Sequence, residues 1–141
     1  MRYCLAEATA EGLWLQVSAL LLELGVLRGE RRLLVLGDGA GWIRAWFEGL
    51  GVSKAMVLCW WHLRKRWDES MRSAGGPKDR RRGFEKELLG QLWRGEVEAA
   101  IGLLRGSSEW VRNPASVEEL IGYLEKRRAY IPDDEQRQRA G

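Results

Sequence analysis

Apolar positions along the chain alternate between helical spacing and short continuous runs. From about Glu7 to Leu27, Leu13, Val17, Leu20, Leu21 and Leu24 recur three and four residues apart, which predicts an amphipathic helix, and Gly25 is placed to end it. After a turn at Gly29-Glu30-Arg31, the run Arg32-Leu33-Leu34-Val35-Leu36 stops at Gly37-Asp38-Gly39-Ala40-Gly41. An apolar run that short, bounded by glycines, predicts a buried strand. Trp42, Ile43, Trp46, Phe47 and Leu50 share one face of a second helix over Trp42–Leu50, closed by Gly49 and Gly51, and Lys54–Cys59 is a second buried strand. Helix, strand, helix, strand predicts an α/β layer with parallel neighbours.

Beyond His62 the pattern is helical throughout. Leu63, Trp67 and Met71 lie four apart until Gly75-Gly76-Pro77 breaks the helix. Asp79–Trp93 turns Phe84, Leu88, Leu89 and Trp93 inward, and Gly95 and Gly106 bracket a helix bearing Val97, Ala100, Ile101 and Leu104. Ser116 and Glu119 have the spacing of a capping box for a last helix, with Val117, Leu120, Ile121 and Leu124 inward. Pro132 is expected to end that helix, leaving a polar tail from Asp133 to Gly141. No repeat of fixed period runs through the chain.

Composition narrows the class. At 141 residues, 45% hydrophobic and 30% charged, the chain has the size and balance of one globular domain. Its longest apolar run is too short for a membrane span, and no membrane partner is expected. Met1-Arg2-Tyr3-Cys4 leads into no clean apolar stretch, so no signal peptide is expected and Cys4 and Cys59 suit a reducing cytoplasm. Two cysteines and one histidine are too few for a structural zinc site. A net charge of +3 permits a nucleic-acid partner without requiring one.

Gly37-Asp38-Gly39-Ala40-Gly41-Trp42 is the most informative stretch. A carboxylate at the C-terminal end of a buried strand, followed by small residues and a helix, stands where α/β folds carry their chemistry. The alternative is that the glycines make a turn and Asp38 caps the helix. A dinucleotide fingerprint does not fit, because Trp42 stands at its last glycine, and no Gly-Lys-Ser/Thr follows to make a phosphate loop. Cys59 and His62, three apart, suggest a nucleophilic dyad, or else a small buried thiol and a hydrogen-bonded histidine. Basic clusters occur at Arg31-Arg32, Arg64-Lys65-Arg66, Lys78 with Arg80-Arg81-Arg82, and Lys126-Arg127-Arg128. Several lie beside tryptophans, of which there are eight, an arrangement that can hold phosphate and stack bases; otherwise these are solvated helix faces and packing aromatics.

Together, the ordered motifs resemble the DDE-type transposases of bacterial insertion sequences, Mutator-like branch. The resemblance runs from about Leu13 to Arg137: strand, Gly-Asp-Gly-Ala-x-Trp-Ile, helix, strand, Cys-x-x-His, helices, then Tyr130-Ile131-Pro132-Asp133 and Arg137. It implies a ribonuclease-H-like catalytic core interrupted by a helical insertion, so residues 1–62 are expected to form part of that core, 63–130 the insertion, and 131–141 a lead towards a further helix. It implies that Asp38 is a catalytic, metal-binding member of the Asp-Asp-Glu triad, with Gly37, Gly39, Ala40, Trp42, Cys59 and His62 as motif residues near the site. It also implies magnesium, a DNA partner, and a homo-oligomer or a complementary transposase fragment as protein partner. Arg64, Lys65, Arg66, Arg80, Arg81 and Arg82 are the expected DNA contacts.

The likeness has gaps. Position 134 is Asp where the family pattern has an aromatic. The first triad aspartate is expected on an earlier strand, but six residues precede the first helix; the glutamate is expected beyond the last residue, Gly141. One of three carboxylates is thus matched, and the expectation is a transposase fragment that is inactive alone and does not hold magnesium tightly. The competing expectation is a standalone or domesticated DNA-binding protein without catalysis.

Overall fold

A computed structural model of the chain describes residues 9–139. The chain divides into two compact units, Met1–Met56 and Val57–Gly141. The fold is mixed α/β and mostly helical, with a two-stranded parallel sheet.

In the first unit, α1 (Ala10–Glu23) starts where Thr9 Oγ1 accepts the Gly12 N–H at 3.1 Å. That side chain satisfies one of the orphan donors of the first turn. The expected start at Glu7 lies outside the described residues, as does Cys4. Strand β1 (Leu33–Gly37) is followed by helix α2 (Gly41–Gly49) and by strand β2 (Lys54–Leu58), within which the boundary between the units falls. The Leu33 N–H donates to Ser53 O at 2.9 Å at the start of the pairing.

β1 departs from the fully buried strand that its run of leucines predicts. Burial alternates along it, and Leu34 and Leu36 stand 58% and 67% exposed. Period-two geometry sends alternate side chains to opposite faces, so a strand with one covered face exposes every second residue whatever its hydrophobicity. β2 has Met56, Val57 and Leu58 buried, as expected, but ends one residue early because Cys59 serves as N-cap of the next helix.

The second unit continues with α3 (Trp60–Ala74), α4 (Lys78–Trp93), α5 (Val97–Gly106), α6 (Pro114–Arg127) and a short α7 (Asp134–Arg139). Its core gathers Leu63, Trp67, Met71 and Ala74 of α3, Leu88 and Leu92 of α4, Val97, Ala100, Ile101 and Leu104 of α5, and Val117, Leu120, Ile121 and Leu124 of α6. Nearly all were legible from helical spacing.

One local expectation fails. α6 begins at Pro114 with Asn113 as N-cap, two residues before the expected capping box. Proline has no N–H and its φ is preset for the first helical position, so it starts the helix unaided. Ser116 is buried instead, and its hydroxyl meets Ser73 Oγ at 2.8 Å and the Asn113 side-chain amide at 2.9 Å. The polar tail forms a short helix not anticipated from the sequence: Asp133 Oδ1 accepts the Gln136 N–H at 2.8 Å and Glu135 pairs with Arg139 at 3.0 Å, holding α7. Burial raises the Asp134 carboxyl above its ordinary value; Arg137 opposes the shift and Asp133 adds to it.

Gly95, in the turn between α4 and α5, has φ +71°, and a Cβ there would stand 2.9 Å from Asp133 N and 3.1 Å from Pro132 C. Both the conformation and the contact require glycine. Gly95→Ala should lower unfolding stability by about 1–3 kcal/mol in denaturant titration. Gly102→Ala, in α5 with open space around it, should instead raise stability by about 1 kcal/mol.

Candidate functional site

The Gly-Asp-Gly-Ala motif joins the C-terminal end of β1 to α2. Gly37 closes the strand; a Cβ on it would sit 3.8 Å from Ile43 Cδ1 and Met56 Cε, in ordinary contact. Asp38 is exposed, and its Oδ1 accepts the Ala40 N–H at 2.8 Å. The carboxylate therefore bridges two residues along the loop in an Asx-type turn. It is not the helix cap: Ala40 holds that position, with no side-chain cap bond. Gly39 is buried at φ +73°, a conformation for which glycine carries no steric cost. The chain turns there and presents Asp38 at the strand end with one carboxylate oxygen engaged.

Trp42, in the first turn of α2, is half exposed and packs on Trp14 of α1 with ring centroids 5.2 Å apart; Trp46 stacks on the same ring at 4.2 Å. This aromatic cluster joins α1 to α2 and holds the helix that follows the motif.

Cys59, His62 and all the expected DNA-contact residues belong to the second unit. Cys59 is a half-buried free thiol at the N-cap of α3. His62, one turn in, packs edge-on against Trp61, and its Nδ1 is buried without a hydrogen-bond partner. Neither a hydrogen bond between Cys59 and His62 nor a carboxylate orienting the imidazole is present among the described residues, so the geometry does not build the dyad.

The basic clusters divide. Arg64 pairs with Glu85 at 2.9 Å, linking α3 to α4; Lys65 reaches Glu69 at 3.9 Å and lies over the Trp61 ring; Arg66 approaches Glu119 of α6 at 3.8 Å. Arg80 and Arg82 are exposed and make no ion pair among the described residues. Arg81 is half buried, its guanidinium 3.5 Å from Met71 O. Arg81 and Arg82, with Arg72 and Lys78, line a cleft of about 530 Å³ between α3 and α4, where Asp68 and Glu85 are the acids. Trp67 and Met71 also line it. Lys78 was named in a basic cluster but not among the expected contacts, and Arg72 was not singled out; they come from either side of the Gly75-Gly76-Pro77 break. No group of three His, Cys, Asp or Glu side chains able to hold a metal occurs among the described residues.

No described helix is long and apolar enough to cross a membrane. Compared with protein-family models, curated proteins and solved structures, the chain matches none.

The Asx turn separates a structural role for Asp38 from others. Asp38→Asn keeps a side-chain oxygen for the Ala40 N–H and should leave unfolding stability within about 0.5 kcal/mol of wild type, whereas Asp38→Ala should cost about 0.5–1.5 kcal/mol.

Proposed function

We propose that the chain is part of the catalytic domain of a DDE-type DNA transposase of the Mutator-like branch. On this reading residues 1–62 contribute to a ribonuclease-H-like core and the helices after His62 form its insertion. The observation that carries the reading is Asp38: an exposed carboxylate at the C-terminal end of a parallel strand, on a glycine turn leading directly into a helix. Parallel α/β sheets present reactive groups at that edge. The exposed Leu34 and Leu36 give further support, since parallel sheets ordinarily have both faces covered and β1 has one apolar face open.

In the complete family enzyme, three carboxylates would hold two divalent cations, whose chemistry would be activation of water or a 3′-hydroxyl and stabilisation of the leaving oxygen in phosphodiester cutting and joining. The residues described here do not fit that pair of magnesium ions. Asp38 is the one family carboxylate matched, one of its oxygens is engaged by the loop, and no cluster of acidic ligands accompanies it. This chain alone is therefore proposed to be inactive, with catalysis requiring carboxylates supplied by a complementary segment or fragment. Its partner is DNA, its protein partner another transposase chain, and its compartment the cytoplasm.

The cleft bearing Arg72, Lys78, Arg81 and Arg82 favours a second reading, a non-catalytic DNA-binding protein that retains the family's helical segment. Translation of the flanking DNA in all frames distinguishes the two. An upstream aspartate-bearing strand and a downstream glutamate helix are expected for the transposase, and finding neither favours the second reading.

Incubated with supercoiled DNA and Mg²⁺ or Mn²⁺, the purified chain should leave the DNA intact; nicking that disappears in Asp38→Ala would contradict the proposed inactivity. In fluorescence anisotropy the chain should bind duplex DNA with an affinity that falls steeply with salt. Arg80→Gln and Arg82→Gln should each lower that salt slope by about one if the side chain contacts phosphate.

A further inference from the structure

Tyr123 of α6 lies between two arginines from different helices. The Arg127 guanidinium carbon is 4.0 Å from its ring centroid, and that of Arg66 on α3 is 5.8 Å away. Both arginines keep a buried Nε with no hydrogen-bond partner. An unpaired buried donor on a charged group is costly, which marks both arginines as incompletely satisfied within the fold. The two arginine side chains line a cleft of about 350 Å³ together with Tyr123, Lys126, Gly122 and Glu119.

Three cations there face one carboxylate, and that carboxylate does not satisfy them. Glu119 Oε2 is 3.8 Å from Arg66 Nη2, beyond hydrogen-bonding distance, and its side chain is 71% exposed. Arg128, next in the sequence cluster, is committed elsewhere, to Glu98 on α5. Stacking on Tyr123 restrains the Arg127 guanidinium before any ligand arrives, reducing the entropy lost when it binds one. Arginine forks match the tetrahedral oxygens of phosphate, and Lys126 adds a mobile charge at the rim.

We propose that this cleft between α3 and α6 binds a backbone phosphate of DNA, with Arg66 and Arg127 as donors, Lys126 as a neutralising charge and Glu119 as the group the phosphate displaces. The proposal rests on the DNA-binding reading and names a second face of the helical unit for it, separate from the α3–α4 cleft. A polyanion is the favoured ligand because both clefts lie on the same unit and each presents unpaired cationic groups.

The test is duplex binding by the full chain, followed by fluorescence anisotropy across a salt series, with thermal unfolding as a check on each variant. Lys126→Gln and Arg127→Gln should each reduce the salt slope by about one. Glu119→Gln should tighten binding, because it removes the competing carboxylate. Arg127→Gln removes a stacking partner of Tyr123, so where it destabilises the fold the two exposed positions, Lys126 and Glu119, carry the test. If wild type binds DNA and these variants keep its slope and affinity, the cleft is only a structural stack and the proposal is overturned while DNA binding stands. If wild type binds no duplex at low salt, the DNA-binding reading itself fails and this site fails with it.

Discussion

The antiparallel packing of α3 on α6 is the constraint on which the helical unit depends. Leu63, Trp67, Met71 and Ala74 enter the core with Val117, Leu120, Ile121 and Leu124, all nearly inaccessible to water. The C-terminal end of α3 is fastened to the start of α6 by polar groups: Ala74 O accepts the N–H groups of Arg112 and Asn113, and Ser73 meets Ser116. A helix-end carbonyl that would otherwise be orphaned thus joins two segments almost forty residues apart. Burying the apolar stripe of α3 leaves its basic positions at the surface, where Arg64 faces α4 and Arg66 faces α6. The charged clefts on either side of α3 are consequences of this packing.

The first unit is organised by a different requirement. Two parallel strands need a crossover between them, and α2 supplies it while delivering the Gly-Asp-Gly-Ala turn to the end of β1. The stacked Trp14 and Trp46 rings fasten α1 to that crossover. Leu34 and Leu36 nevertheless face outward, an arrangement unusual for a parallel sheet, where helices or further strands ordinarily cover both faces. The Asp38 loop and this open face lie in the same short segment.

Much of the fold was legible in the sequence, for an identifiable reason. Helices α3 to α6 each have one apolar stripe, and spacing alone selected almost the entire core. Glycine and proline marked the ends because their backbone preferences are local. The misreadings involve competition between residues: Pro114 set the start of α6 before Ser116 could cap it, and Asp133 capped a helix in a tail that composition described as polar. For the candidate site, the sequence singled out Asp38 and Gly39, whose turn geometry depends on a few consecutive residues. Lys78 and Lys126 stood out only as members of basic clusters and Arg72 not at all, because which cations share a cleft depends on how distant helices pack.

By itself, then, the sequence determined the order and type of the elements from α1 to α6, the apolar stripes of the core helices, and the glycine turn carrying Asp38. These follow from interactions spanning four residues or fewer, which periodicity and backbone preference record directly. The tertiary structure alone decided that β1 has an open face, that Ser116 bonds to Ser73, and that Arg66 and Arg127 close on Tyr123 with unpaired donors. Each of these depends on which distant segment packs alongside, and whether a charge is paired or left for a ligand is settled only by that neighbour.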